Sequence, residues 1–189
     1  MSKNNISHLA FILDGNKRWA DKHKLSEVYG YKKGFDNITT LVDYSLKINL
    51  SNLTLFTLSS ENFKRPSINI IYEIIYSNFS NLVDKIIKKN NIKINIFGIR
   101  DNLPKKISNI FDEAEKVTIN NNNSLNLNLA FNYGFKIEIR EVLKKYKSQI
   151  ETFDLNNQDE IDNLFFLSSL SDPDILIRTG GYQRLSNFI

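Results

Sequence analysis

The chain has no cysteine, which excludes disulfides, thiolate nucleophiles and cysteine-ligated zinc. Its two histidines, His8 and His23, do not form a metal-ligand pair. No apolar run approaches membrane-spanning length, and Met1-Ser2-Lys3-Asn4-Asn5 leads into a strand instead of a signal-peptide core, so a soluble, cytoplasmic chain is expected. Long basic runs and the aromatic platforms of RNA-binding motifs are missing, which leaves a nucleic-acid partner with only net charge behind it. Arginine is scarce, six against nineteen lysines, and four of the six, Arg18, Arg65, Arg178 and Arg184, fall in three polar motifs. A guanidinium binds phosphate oxygens as a fork where an ammonium is a point charge, so arginine kept in a lysine-biased chain points to sites where geometry matters. Ordinary surface ion pairs are the alternative for any one of them.

With 189 residues and 41% hydrophobic content the chain can bury a sizeable core, and a single domain spanning 1–189 is expected. A net charge of +4 and a pI near 9.1 favour anionic partners. Apolar runs alternate with helical patterns, the signature of an α/β fold with a mainly parallel sheet flanked by helices. The pattern predicts strands near 7–13, 52–58, 92–97, 125–131 and 174–177. Helices are predicted from Asn16 and near 35–48, 67–89, 104–119, 135–147 and 158–166. Asn120-Asn121-Asn122-Asn123 reads as a low-complexity loop.

Three strand ends carry the chemistry. Leu9-Ala10-Phe11-Ile12-Leu13 runs into Asp14-Gly15-Asn16-Lys17-Arg18-Trp19, which places a carboxylate, a flexible glycine and an arginine where open α/β sheets bind ligand. Asp14 suits Mg²⁺ held jointly with substrate phosphate, Asn16 can cap the following helix, and Arg18 faces an anion. Alternatively, Asp14 only closes a turn and Trp19 is core. The second end is Ser59-Ser60-Glu61-Asn62-Phe63-Lys64-Arg65-Pro66, where Ser59 and Asn62 can orient substrate or water, Phe63 can cover an apolar group and Arg65 can reach phosphate. It also serves as the start of the long helix. The third is Ile177-Arg178-Thr179-Gly180-Gly181, with Arg184, Leu185 and Ser186 after it, a second anion cradle. Two cradles suggest two phosphorylated substrates. On the long helix Ile68, Ile71, Ile75, Phe79, Leu82 and Ile86 share a face, which suits packing on the sheet and equally a hydrocarbon tunnel.

In this order and spacing the segments Asp14 to Ala20, Ser59 to Pro66, Asn132-Tyr133-Gly134 and Ile177 to Phe188 resemble the cis-prenyltransferases, the undecaprenyl diphosphate synthase family of isoprenyl transferases. The resemblance implies an apolar tunnel and the condensation of isopentenyl diphosphate with an allylic diphosphate such as farnesyl diphosphate, giving a polyprenyl diphosphate. It implies Mg²⁺ on Asp14 as metal ligand, with Asp14 and Asn62 as catalytic positions. Gly15, Asn16, Lys17, Arg18, Trp19, Glu27 and Tyr31 fall at positions around the primer diphosphate. Ser59, Ser60, Glu61, Phe63 and Arg65 fall in the substrate loop, while Arg178, Arg184, Leu185 and Ser186 fall at the isopentenyl diphosphate site. A homodimer, no nucleic acid and at most peripheral contact with the inner membrane face through the lipid product are also implied.

The chain departs from the family pattern in several places. Glu27 and Tyr31 stand where an arginine and a histidine are usual, and Glu27 should repel phosphate unless it turns away. Tyr182 stands where a glutamate is usual, Phe63 replaces a tryptophan, and Lys17 and Lys136 are milder changes. The chain stops within Arg184-Leu185-Ser186-Asn187-Phe188-Ile189 without a polar tail. This reads as a fragment lacking the family's C-terminal strand and helices, which bring dimer contacts and an acidic metal ligand. A non-catalytic binding subunit is therefore the alternative to an enzyme. A haloacid-dehalogenase-type phosphatase is excluded because its second Asp is missing at Asn16 and Ile12.

Overall fold

In the computed structural model residues 6–89, 91–120, 124–147, 154, 156–168 and 170–188 are described. Residues 121–123 of the asparagine run and the terminal Ile189 lie outside them. Among the described residues five parallel strands form one sheet in the order β3-β4-β2-β1-β5, with β1 His8–Ile12, β2 Asn52–Ser59, β3 Ile92–Phe97, β4 Leu125–Tyr133 and β5 Ile175–Arg178. The helices described between them are α1 Asn16–Lys22, α2 Glu27–Lys47, α3 Ile68–Lys89, α4 Lys105–Thr118, α5 Phe135–Tyr146 and α6 Gln158–Asp162. A 3₁₀ turn, Ser60–Lys64, precedes α3.

The central strands are apolar on both faces because each face has a core to fill. Neighbours along a strand point to opposite sides, so Leu55 and Leu129 join the larger core of α2, α3 and α4. Phe56 and Ala130 join a smaller core closed by Phe188 and Tyr133. Phe188 is fully buried and stacks on Phe56 at 4.7 Å between ring centroids, which anchors the loop after β5 to the sheet. The lead into β5 is tied to β1 by the Asp174 carboxylate, which accepts from the Ser7 and His8 amides at 2.7 and 2.9 Å. His8 is a buried structural residue whose ring nitrogens meet Ser171 O at 2.6 Å and Thr54 Oγ1 at 2.7 Å. Glu138 is buried as well, accepting from Tyr133 Oη at 2.6 Å and from the Phe166 amide, and so ties α5 to the segment after α6.

Two helical expectations need correction. The helix predicted at 35–48 begins eight residues earlier, at Glu27, with Ser26 Oγ accepting from the Tyr29 amide as its cap. Gly30 and Gly34 sit inside α2 where α1 crosses it. A Cβ at Gly30 would lie 2.4 Å from Asn16 O, and one at Gly34 would lie 2.5 Å from Asn16 Oδ1. Asn16 is accordingly not the cap of α1. Its side chain faces Gly34, and Gly15 caps the helix at φ 95°, a conformation natural to glycine. The helix predicted at 158–166 ends at Asp162.

Candidate active site

β1, β2 and β5 deliver their loops to one edge of the sheet, with the chain passing to β2 on one side of β1 and returning as β5 on the other. Asp14, two residues beyond β1, is the centre of this edge. Arg178, at the end of β5, donates from Nη2 to Asp14 Oδ2 at 2.7 Å, and Arg18 Nη2 lies 3.3 Å from the same oxygen. Asp14 Oδ1 accepts from the Gly15 amide at 2.6 Å. Thr179 Oγ1 holds the Asp14 backbone from both sides, accepting from its N–H at 2.8 Å and donating to its carbonyl at 2.7 Å. Burial pushes the Asp14 carboxyl up, but the hydrogen bonds from Arg178 and Arg18, the Arg18 charge and the Gly15 amide outweigh it, leaving the group below its ordinary range.

Gly15 and Gly180 let the two loops touch, since a Cβ on Gly15 would fall 2.8 Å from Gly180 Cα. Arg18 Nη2 also donates to Gly180 O at 3.1 Å, closing the contact. On the β5 side Arg178 Nη1 donates to Ser186 Oγ at 2.7 Å and to the Arg184 carbonyl. The Arg178 side chain is only 10% exposed, and its Nε is buried without a partner among the described residues. Tyr182 lies between two guanidiniums, with Arg18 Cζ 4.4 Å and Arg184 Cζ 5.3 Å from its ring centroid.

A cavity of about 420 Å³ opens beside Asp14 and runs between the sheet, α2 and α3. That volume falls in the range of small-molecule sites, roughly 300–1,000 Å³. Its mouth is polar, with Asp14, Asn16, Lys17, Arg18, Asn62 and Arg65 around it. Its depth is apolar, walled by Ile38, Ile71, Ile74 and Ile75, with Phe79, Phe111 and Phe131 at the inner end. The three rings meet edge to face, Phe79 to Phe111 at 5.4 Å and Phe111 to Phe131 at 5.1 Å. Thr57 and Leu58, neighbours in sequence, both reach the cavity because the register of β2 on β4 shifts between Phe56 and Ser59.

Of the residues expected at a site, Gly15, Glu27 and Tyr31 also line this cavity. Glu27 does not stand unpaired, because Lys17 Nζ lies 3.3 Å from Glu27 Oε2. Arg178, Arg184 and Ser186 join the site through Asp14 and Tyr182 instead of lining the cavity. The remaining expected residues are placed around it. Trp19 packs outside, against His23 and Tyr29. Ser59 Oγ caps the 3₁₀ turn by accepting from the Glu61 amide at 3.3 Å, Glu61 is exposed, and Phe63 packs edge to face on Tyr72. Ser60 Oγ is buried beside Gly134 without a partner among the described residues, and Leu185 is exposed. Sequence reasoning places Phe79 on a helix face that suits a tunnel but misses Thr179, Phe111 and Phe131. Thr179 sits between Arg178 and Gly180, so the motif itself is its signal, whereas nothing local marks Phe111 or Phe131 as cavity residues.

The comparisons with known proteins agree with one another. Residues 12–189 match the model of the undecaprenyl diphosphate synthase family. An isoprenyl transferase of Lactobacillus johnsonii is 37% identical over 197 residues, covering 100% of this chain and 82% of that protein. A ditrans,polycis-undecaprenyl-diphosphate synthase of Wigglesworthia glossinidia brevipalpis, described as (2E,6E)-farnesyl-diphosphate specific, is 34% identical, covering 98% of this chain and 73% of that protein. Among solved structures, a probable undecaprenyl diphosphate synthase from Campylobacter jejuni superposes with TM-score 0.75 at 28% identity, covering 98% of this chain and 80% of that one. Lavandulyl diphosphate synthase from Lavandula x intermedia, solved with dimethylallyl diphosphate, shares the fold with TM-score 0.90 at 24% identity, covering 97% of this chain and 81% of that one. None of these similarities favours the non-catalytic alternative. A match over nearly the whole chain, on a parallel sheet whose strand-end loops converge on Asp14, makes this protein a member of the undecaprenyl diphosphate synthase family of cis-prenyltransferases.

Proposed function

We propose that the cavity takes an allylic diphosphate such as farnesyl diphosphate, hydrocarbon inward and diphosphate at the Asp14 mouth, and extends it in cis configuration with isopentenyl diphosphate. The observation that carries this reading is the polarity gradient within one cavity, from Asp14, Lys17, Arg18 and Arg65 at the mouth to Phe79, Phe111 and Phe131 at the floor. Prenyl transfer needs both ends, because the leaving group is a polyanion and the growing chain is hydrocarbon. Arg18 and Arg65 can grip phosphate oxygens, while the apolar walls exclude water from the carbocation-like centre that forms as the allylic C–O bond breaks.

Among the described residues no three His, Asp or Glu side chains converge on a metal site. Asp14 is the carboxylate where the two loops meet, and one carboxylate completed by diphosphate oxygens and water suits Mg²⁺. Bound there, the ion would supply positive charge against the departing diphosphate. Arg18 and Arg178, which hold Asp14 ionised, keep it ready for that partner. Arg178, Arg184 and Ser186 form the proposed site for the isopentenyl diphosphate headgroup. Asn62 at the mouth orients the reacting ends. A neutral amide is too weak a base to keep the proton lost in forming the new double bond, so its role is to relay it to a diphosphate oxygen as final acceptor.

The family resemblance also carries a homodimer. Cytoplasmic residence belongs to the same proposal. Incubation with radiolabelled isopentenyl diphosphate, farnesyl diphosphate and Mg²⁺ tests the central reading. The expected result is a labelled, butanol-extractable polyprenyl diphosphate with new cis double bonds. Binding of diphosphate without any turnover would overturn it.

A further inference from the structure

The charge of this chain is not spread evenly. From Lys17 to Lys33 six cations, Lys17, Arg18, Lys22, Lys24, Lys32 and Lys33, face two acids, Asp21 and Glu27. Outside this segment nineteen cations meet nineteen acids, so the whole formal charge of +4 resides in the corner where α1 turns into α2. Lys17 and Glu27 pair with each other, and Lys22, Lys24, Lys32 and Lys33 are exposed.

The same corner presents apolar side chains to solvent. Trp19, Leu25, Val28 and Tyr29 are each between 38% and 51% exposed. Trp19 and Tyr29 stack with centroids 6.4 Å apart and planes 11° from parallel, which joins the outer faces of the two helices. On α2, Lys32 follows Val28 by four residues and Lys33 follows Tyr29 by four, so lysine and apolar side chains share a face. Asp36, four beyond Lys32, ends the basic stretch. Lysines flanking exposed tryptophan, tyrosine and aliphatic groups suit a bilayer interface, where the stems and rings sit among headgroups and the ammoniums meet lipid phosphate. Nucleic acid would use the charge and the rings but gains nothing from Leu25 and Val28.

The position of the corner also favours lipid. An outer groove between α2 and α3 is lined by Val28 and Lys32 from the corner and by Ile70 and Ile74 from α3, with Glu73 and the neutral polar Asn69, Ser77 and Asn78 beside them. Ile74 also borders the substrate cavity. The surface that carries the charge is therefore continuous with the wall of the apolar cavity.

We propose that the α1–α2 corner, Trp19 to Lys33, docks the protein on an anionic lipid bilayer, with the α2–α3 groove turned to the membrane. The choice of lipid rests in part on the prenyl-transfer reading. Binding and turnover are therefore measured separately, on the full chain. Flotation with phosphatidylglycerol/phosphatidylcholine vesicles, against phosphatidylcholine alone, reads the first. Turnover of detergent-dispersed farnesyl diphosphate reads the second.

The expected result is binding that requires phosphatidylglycerol and falls steeply with salt. The K22Q/K24Q/K32Q/K33Q variant should lose about fivefold in affinity per lysine, and L25S/V28S about tenfold in all, each with turnover retained. Equal flotation with both vesicle types, or wild-type binding by the lysine variant, would overturn the proposal. Retention of an RNA oligonucleotide by the same lysines without vesicle binding would overturn it in favour of nucleic acid. Should a variant fail to fold, the salt and lipid dependence of the unaltered chain decides. Vesicle binding with no turnover counts against the enzyme reading alone, and turnover without vesicle binding counts against docking alone.

Discussion

The two loops that meet at Asp14 are made of similar residues and are organised in opposite ways. The loop after β1, Asp14 to Arg18, faces a cavity, and its lysine and arginine are exposed enough to change partners. The loop after β5, Arg178 to Ser186, is turned on itself, with Arg178 buried and donating to Asp14, Ser186 and the Arg184 carbonyl. Arginine, glycine and a hydroxyl in one motif thus give an open binding mouth in one case and a pre-formed, rigid buttress in the other. What separates them is burial of the guanidinium. An exposed arginine is free to take a ligand, whereas a buried one must first satisfy its own hydrogen bonds.

Asp14 belongs to both loops, and its removal should have the largest effect. Asp14→Ala is expected to reduce kcat by at least about 10³-fold. It should also cost about 2 kcal/mol of stability, because Arg178 loses its carboxylate partner where little water reaches. Asp14→Asn keeps the shape and removes the charge, so it separates the two effects. The carboxyl is held below its ordinary value of 3.8, so the stability its ionisation contributes is fully present above that value. It should fade as pH falls through the depressed value. Urea titrations of the parent below about pH 4 should show this loss, and the same titrations of Asp14→Asn should show a smaller one, since depressed carboxyls such as Asp174 remain.

Arg178→Lys comes next and tests the buttress. A lysine keeps the charge but cannot reach Asp14, Ser186 and the Arg184 carbonyl together. The expected loss is about 2–3 kcal/mol in transition-state stabilisation, roughly 30- to 150-fold in kcat/KM. Hydrogen exchange should rise through residues 179–187 while α1 stays protected. Equal loosening of both loops would show that the β5 loop is not the more rigid of the two.

Most of the fold was legible in sequence because unbroken apolar runs leave a strand in a covered parallel sheet few alternatives. β3 was expected at its observed limits, and α3 and α4 within a residue of theirs. The errors lie where a residue answers to a distant neighbour. α2 starts eight residues before the expected 35, in the stretch where Gly30 and Gly34 leave room for Asn16 and Ala20 of α1 to cross. For the site, the residue types around Asp14 pointed to phosphate, and they do share one mouth. The division of labour between Arg18 and Arg178 was not legible, because it depends on burial set by Phe188 and the β5 register. Phe111, on a helix that carries none of the motifs, reaches the cavity floor only through tertiary packing.

Tyr182 bridges the two loops, and Tyr182→Ala should have a smaller effect. Each cation–π contact at an exposed site contributes about 0.5–1 kcal/mol. Its loss lets Arg18 and Arg184 move independently, with an expected rise in KM of roughly three- to tenfold for one or both diphosphates and little change in kcat. Tyr182→Phe should behave as the parent, since the ring face makes both contacts.

The smallest effect has the opposite sign. Glu27 places a carboxylate at the diphosphate mouth and is tolerated because Lys17 neutralises it. A diphosphate that recruits Lys17 must compete with Glu27 for it. Glu27→Gln removes the competitor and keeps the side-chain volume, so affinity for the allylic diphosphate should improve. An exposed pair of this kind is worth about 0.2–1 kcal/mol, which limits the fall in KM to about fivefold. Lys17→Met should raise KM, and in the double variant Glu27→Gln should no longer help, because the lysine it frees is absent. Additive effects in that cycle would mean that Lys17 stays on Glu27 when substrate binds, and that the β1 loop holds its own contacts as firmly as the β5 loop does.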